Sequence, residues 1–155
     1  MSTKGTIRRR LQVGAVAVFS MAALAACGHM MTMLHGGADR PAAGEFGLGP
    51  RPTSTGLYTL TLEPQGELVK RRLQTVRVRV VDAARQPVDN AAITVDGGMP
   101  EHGHGLPTRP RVTRHHGEGV YDIEGVRFNM GGWWELRLAV AADAGRDSVT
   151  FNIDL

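Results

Sequence analysis

From residue 56 onward, hydrophobic and polar residues alternate with a period of two, which is the pattern of half-buried β-strands. Seven runs show this alternation strongly or weakly, and they lie at 58–62, 76–80, 93–95, 109–113, 121–128, 134–140 and 149–155. The alternation changes phase at Gly125, where a β-bulge is expected. The pattern therefore predicts an all-β domain over residues 56–155, and it favours a seven-stranded immunoglobulin-like antiparallel β-sandwich.

The first 26 residues differ from this pattern and are typical of an export signal. Residues 1–10 are basic, and residues 11–24 are uncharged and mostly apolar. As a helix the apolar stretch rises about 21 Å, which is short of the ~30 Å hydrocarbon core of a bilayer. This indicates a signal-peptide helix rather than a stable membrane span.

The signal ends in Leu24-Ala25-Ala26-Cys27, which resembles a bacterial lipobox. The resemblance implies cleavage before Cys27, with a diacylglyceryl group on its Sγ, so residues 1–26 would be a lipoprotein signal peptide. The alternative is ordinary cleavage that leaves Cys27 as a free thiol. We expect a cell-envelope protein held at the membrane by lipidated Cys27, on the periplasmic side in a Gram-negative cell.

Residues 27–55 are rich in glycine and proline and show no sustained period, which predicts a flexible tether. The tether includes a short run of soft and imidazole side chains: His29, Met30, Met31, Met33 and His35. Such a run is either an unstructured tail or a weak copper-capture arm.

The formal net charge of +3 does not indicate nucleic-acid binding. Four of the 18 basic residues lie in the leader, and the rest of the chain has 14 basic against 15 acidic side chains, a net charge of −1. The sequence contains no nucleophile elbow, phosphate-binding loop or metal-binding histidine helix motif. We therefore expect a protein that is not an enzyme.

Three motifs lie between residues 95 and 140. The first is Met99-Pro100-Glu101-His102-Gly103-His104, the second is Gly119-Val120-Tyr121, and the third is Met130-Gly131-Gly132-Trp133-Trp134-Glu135-Leu136. The third is similar to a Met-x-Gly-x-Trp-Glu-Leu hairpin, and over residues 57–155 the chain resembles the YtkA-like/FixH family of exported bacterial domains. The resemblance implies a small immunoglobulin-like sandwich, often found near copper-handling or oxidase-assembly proteins, with no settled activity. FixH itself has a helical membrane anchor, unlike the lipid anchor expected here.

Methionine and histidine together suggest copper. Beyond the leader the chain has five methionines, six histidines and a single cysteine, which the anchor would use. Thioethers are soft ligands that select Cu(I), and imidazole accepts either copper oxidation state, whereas zinc would leave the methionines without a role. We therefore expect copper, as Cu(I), to be the bound metal.

Chain topology selects the candidate ligands. If each connection reverses direction, the loop 97–107 and the turn 129–132 meet at one pole, which brings together Met99, His102, His104 and Met130. In an extended backbone, residues spaced i, i+2 share one side, so the two imidazoles would be neighbours. His115 and His116 would lie about 23 Å away in a solvent-exposed turn at the other pole.

Other interpretations of these residues stay open. The histidine loop could be a solvated turn, Met130 could pack in the core, and of Trp133 and Trp134 one could be core and the other a lid or surface contact. We expect a lipid-anchored accessory protein that buffers copper or transfers it to a copper-handling or oxidase-assembly partner. The alternative is a metal-free immunoglobulin-like interaction module.

Overall fold

Antiparallel β-strands form nearly all the regular structure between residues 39 and 155, the part of the chain that the computed structural model describes. The strands are β1 (Arg51–Pro52), β2 (Tyr58–Pro64), β3 (Gln74–Asp82), β4 (Ala92–Met99), β5 (His104–Gly105), β6 (Arg111–Gly117), β7 (Val120–Val126), β8 (Trp133–Ala142) and β9 (Gly145–Asp154). Two single-turn 3₁₀ helices span Ala43–Glu45 and Pro100–His102. None of the helices described is long and apolar enough to cross a bilayer. The predictions for the signal peptide, Cys27 and the tether histidines and methionines lie outside the described residues.

The strands form a nearly closed, barrel-like sheet in the order β1-β2-β3-β7-β6-β4-β8-β9, with β5 paired to β4. A single residue pair, Thr94 and Arg111, joins β4 to β6, so two groups of strands meet there along a weak seam. On the opposite side, Phe46 bridges to Asn152 of β9. The prediction of an all-β antiparallel domain is confirmed. Each of the seven alternating runs overlaps one of the seven longer strands, and the short strands β1 and β5 are additional.

The core follows the alternation in the sequence. The fully buried side chains include Leu60 of β2, Val78 of β3 and Leu136 of β8. Gly125 has a left-handed φ of 84°, and beside it the register steps from Ile123 opposite Val76 to Val126 opposite Gln74. Three residues of β7 thus advance against two of β3, which is the bulge that the change of phase predicted.

Both tryptophans are buried, although only one was expected in the core. Trp134 meets Phe128 edge to face, with ring centroids 5.3 Å apart, inside the main core. Trp133 points to the other face of β8, where its indole N–H donates to Asn152 Oδ1 at 3.0 Å. The Asn152 amide in turn donates to the Glu45 carbonyl at 3.1 Å, so Trp133 is linked to the segment before β1.

This segment lies within the stretch predicted to be a flexible tether. From Ala42 onward the structure instead holds it against the sheet. The Glu45 carbonyl accepts from the Asn152 amide, the Gly47 N–H donates to the Asn152 carbonyl, and β1 pairs with β2. Backbone hydrogen bonds need no periodic side-chain pattern, and so the alternation in the sequence gave no sign of this contact.

Candidate metal centre

The hairpin between β4 and β5 carries the histidines predicted to bind metal. Proline begins the turn Pro100–His102, at a position where its missing N–H costs nothing. Gly103 ends the turn in the left-handed conformation, with φ 66°, and its N–H donates to the Met99 carbonyl at 3.0 Å. His104 then pairs directly with Met99 across β4 and β5. We call residues 99–105 the histidine hairpin.

His102 and His104, the hairpin pair, lie side by side on this hairpin and are both exposed. Their ring centroids are 5.5 Å apart and their planes differ by 12°. The two imidazoles therefore share one side, but a 3₁₀ turn and the left-handed Gly103 bring them together rather than an extended backbone. Because a ring nitrogen binds metal in the plane of its ring, one ring must turn before both can ligate one ion.

The two predicted thioether ligands lie in different surroundings. Met99 is 1% exposed, and its Cε is 3.1 Å from the position that a Cβ on Gly132 would occupy. The end of β4 and the turn 129–132 are therefore neighbours, as the topology suggested. Met130 is 40% exposed, and its carbonyl accepts a hydrogen bond from the Trp134 indole N–H at 3.1 Å. Met99, rather than Met130, packs in the core.

Charged side chains near the hairpin are already paired. Arg137 donates to Glu135 at 2.9 Å and to Asp96 at 3.0 Å, and the hydrogen bond from Arg137 lowers the pKa of Asp96. Glu135 and His104 both line an open depression of about 390 Å³. The alternation in the sequence puts Glu135 and Arg137 on one face of β8, but it does not reveal that they pair with each other or that Arg137 also pairs with Asp96.

A second ion pair ties the start of the described chain to the hairpin. The Arg40 guanidinium lies 3.6 Å from Glu101 and 2.9 Å from Asp154, and it covers the Phe46 ring at 5.2 Å. Arg40 comes five residues after His35, the last residue of the predicted capture arm. Arg40 is thus held beside the turn that carries His102. Within residues 39–155, no three His, Cys, Asp or Glu side chains cluster closely enough to hold a metal ion.

His115 and His116, the strand pair, lie in β6 rather than in a turn, and both are exposed, as the sequence predicted. The His115 ring stacks on Tyr121 with centroids 4.5 Å apart, and its Nε2 is 3.0 Å from Asp89. The hydrogen bond from the Gly119 N–H has the largest effect on the pKa of Asp89 and lowers it, and the hydrogen bond with His115 lowers it further. His115 is therefore held by an aromatic ring and a carboxylate.

His116 belongs to a partly buried charge cluster around Asp122. Its Nε2 lies 2.7 Å from Asp122 Oδ2, and Arg77 Nε donates to Oδ1 at 3.1 Å. Burial raises the pKa of Asp122, but the hydrogen bonds from His116 and Arg77 outweigh this effect and leave the pKa below its ordinary value. The alternation in the sequence puts Asp122 on the outward face of β7, but Asp122 is only 7% exposed because these two partners cover it there.

The described fold and the histidine hairpin define a small all-β domain with an exposed imidazole pair at one end. The sequence model of the YtkA-like family matches residues 55–139, which is more than half of the chain. The chain therefore belongs to the YtkA-like family, and the match includes the hairpin and the turn 129–132.

The other comparisons add little. Among solved structures, one titled "ZirS C-terminal Domain" is similar, with 12% identity, coverage of 98% of this chain and 88% of that chain, and a TM-score of 0.39. The search of curated proteins found no match.

Proposed function

We propose that this YtkA-like protein is a lipid-anchored, copper-binding accessory protein of the cell envelope. It would buffer copper or pass it to a copper-handling or oxidase-assembly partner, without being an enzyme. The observation that carries the proposal is the exposed hairpin pair, with ring centroids 5.5 Å apart. Two neighbouring imidazoles with thioethers nearby are a donor set suited to Cu(I).

In this proposal the accessible groups bind first. His102 and His104 supply nitrogen ligands after one ring turns, and Met130 supplies a sulfur from the adjacent turn. Met99 completes the set only after its thioether leaves the core beside Gly132. The tether side chains His29 to His35 would capture copper upstream of the site, since Arg40 is held beside the hairpin.

The finer architecture is also proposed. The two strand groups would be the two sheets of the immunoglobulin-like sandwich that the family resemblance implies. The single Thr94–Arg111 pair supports this, because the sheets of a sandwich pack face to face and share few edge hydrogen bonds.

Two observations favour the second candidate function, a metal-free interaction module. The imidazole planes are nearly parallel, and Met99 is buried. Both would have to change before a four-ligand site could form. A module that only docks a partner needs neither change.

Copper competition distinguishes the two functions. The full chain in detergent is titrated against a calibrated Cu(I) chelator under reducing conditions, in parallel with Zn(II) and Cu(II). We expect preference for Cu(I), and retention of that preference when all five tether histidines and methionines are replaced by alanine. Equal copper retention by wild type and His102→Ala/His104→Ala would leave the interaction module as the better function.

The anchor is tested separately by detergent-phase separation of Cys27→Ser. We expect Cys27→Ser to block the cleavage before residue 27, and any fraction of the variant that is processed elsewhere to move from the detergent phase to the aqueous phase. Equal partition of a processed variant and wild type would contradict lipidation at Cys27 and leave the copper site untouched.

A further inference from the structure

The loop between β2 and β3 exposes an apolar side chain among positive charges. Leu73 is 67% exposed and follows Lys70, Arg71 and Arg72, which are exposed as well. A single exposed leucine needs no explanation by itself. Leu73 differs from an ordinary exposed leucine because three cations precede it in the same loop.

The loop is held in place by specific hydrogen bonds. The Val69 N–H donates to Gln74 Oε1 at 2.7 Å, and Gln74 Nε2 donates back to the Val69 carbonyl at 2.9 Å. The Arg71 N–H donates to the Phe128 carbonyl at 2.6 Å, and Leu68 packs against the core. The fold therefore presents Leu73 outward from an anchored loop.

Further cations extend the surface onto β6. Arg109 and Arg111, both exposed, line an open depression of about 520 Å³ together with Leu73. Across the described residues, none of these two arginines, Lys70, Arg71 or Arg72 forms a salt bridge with a carboxylate. The two depressions beside Leu73 are lined by Arg72, Arg109 and Arg111 and by Glu67 and Glu124, and Lys70 and Arg71 precede Arg72 in the chain.

We propose that this basic surface docks the domain onto the anionic headgroups of a lipid bilayer. The surface comprises Leu73 and the cations Lys70, Arg71, Arg72, Arg109 and Arg111. Clustered lysines and arginines are attracted to anionic lipids, and an apolar side chain among them enters the boundary between headgroups and acyl chains. The proposal rests on the membrane location of the proposed function and is independent of copper.

A bilayer fits this surface better than an acidic protein does. Protein interfaces bury an apolar centre of many side chains, whereas the large exposed apolar side chains near these cations are, among the described residues, only Leu73 and Met130. A chain anchored near its N-terminus also holds the domain close to the bilayer, so that even weak docking is populated.

Docking would bring the histidine hairpin and the turn 129–132 towards the membrane. Arg71 Nε donates to the Asn129 carbonyl at 3.4 Å, and Lys70 Nζ is 3.5 Å from the position of a Cβ on Gly131. Both contacts flank Met130, the other large apolar side chain that is exposed in the described part of the chain. Copper transfer would then take place next to the bilayer.

Hydrogen exchange tests the docking on the full chain reconstituted with vesicles. Amide exchange of residues 70–73 is compared on phosphatidylglycerol and on phosphatidylcholine vesicles, and the turn 83–86 between β3 and β4 serves as an internal control. We expect exchange of residues 70–73 to slow several-fold on phosphatidylglycerol only, and to recover in 0.5 M salt. Flotation of the same samples reports membrane anchoring, so that a failed anchor is distinguished from failed docking.

Two matched variants identify the cations responsible. Arg72→Gln/Arg111→Gln removes two charges from the surface, and Arg85→Gln/Arg146→Gln removes two exposed charges elsewhere. At about fivefold per charge, the first should weaken docking roughly 25-fold and the second should leave it unchanged. Leu73→Asn should weaken docking several-fold by an amount that does not depend on salt.

Three results would overturn the proposal. They are equal exchange on both lipids in samples that float, equal protection in the two double variants, and protection of another face in place of residues 70–73. A parallel sample with soluble polyglutamate tests whether the surface binds an acidic protein instead of a bilayer. Protection of residues 70–73 by polyglutamate but not by phosphatidylglycerol would assign the surface to an acidic protein partner.

Discussion

The two histidine pairs of this domain have the same side chains and opposite surroundings. In the hairpin pair the rings stack only on each other, and within the described residues neither ring has a carboxylate partner. In the strand pair, His115 bonds to Asp89 and His116 to Asp122.

The comparison teaches that histidines of one domain can differ in whether a ring nitrogen is already bonded to a carboxylate. A ring nitrogen already bonded to a carboxylate must lose that bond before it binds a metal through the same atom. The hairpin pair has no such bond to lose. For this reason we propose the hairpin pair, rather than the strand pair, as copper ligands, and we propose that the strand pair contributes to stability.

The largest expected effect is on the free energy of unfolding, when a buried side chain of the core is truncated. Trp134 is completely buried and donates to the carbonyl of Met130. Trp134→Ala should lower the free energy of unfolding by about 3–5 kcal/mol, as truncation of a buried tryptophan does. Denaturant unfolding of the full chain measures this, with His102→Ala/His104→Ala as a control that should stay within about 0.5 kcal/mol of wild type. A loss below about 1 kcal/mol would show that Trp134 does not anchor the core.

The next largest effect should be on Cu(I) affinity, compared between the variants of the two histidine pairs. His102→Ala/His104→Ala removes both imidazoles and should weaken Cu(I) binding by at least about 100-fold, since even outer-shell changes cost 10- to 100-fold. Chelator competition should find His115→Ala/His116→Ala unchanged. Imidazoles must be neutral to ligate, so wild-type affinity should fall in acid while a thioether contribution persists. Similar losses in both double variants would break the distinction between the pairs.

The converse test concerns stability at the strand pair. The Asp122 side chain is 11% exposed and hydrogen-bonds to Arg77 and His116, so Asp122→Asn should cost about 1.5–3 kcal/mol at neutral pH. The pKa of Asp122 is lower in the folded state, so its stabilisation is present above the unfolded pKa of about 3.9 and is lost as pH falls through the folded value.

Wild type should therefore lose more stability than Asp122→Asn between about pH 5 and pH 2. Asp96→Asn is the matched control near the hairpin, because that carboxylate also pairs with an arginine but its side chain is 77% exposed. We expect the control to change stability at neutral pH by less than about 1 kcal/mol. Parallel pH curves for wild type and Asp122→Asn would contradict the role of the buried cluster.

The smallest effects should come from the methionines. Met99→Leu keeps the approximate volume of a buried side chain and should cost less than about 1.5 kcal/mol, whereas Met130→Leu at the surface should change stability by less than about 0.5 kcal/mol. Thermal unfolding gives both values. In chelator competition, Met130→Leu should weaken Cu(I) binding more than Met99→Leu, since its sulfur is accessible. The reverse order would show that the buried thioether is the ligand.

Much of the fold was predictable because its determinants are local. The alternation of three valines with Arg77 and Arg79 predicted β3 and its buried face. The change of phase at Gly125 predicted the bulge, because a period-two strand cannot otherwise keep both Ile123 and Val126 inside. The motifs from Met99 to Leu136 indicated the family.

The sequence by itself thus determined the strands, the inward faces and the proximity of the β4 end to the turn 129–132. Only the tertiary structure decided which of the four described histidines have carboxylate partners, and which of Met99 and Met130 is buried. Arg77 and Asp122 are 45 residues apart, and their contact exists only because β3 pairs with β7 in one register. Alternation records which face a side chain occupies, but it carries no information on which strand lies opposite. For that reason Asp122 resembles a solvated carboxylate in the sequence and is the centre of a partly buried charge cluster in the fold.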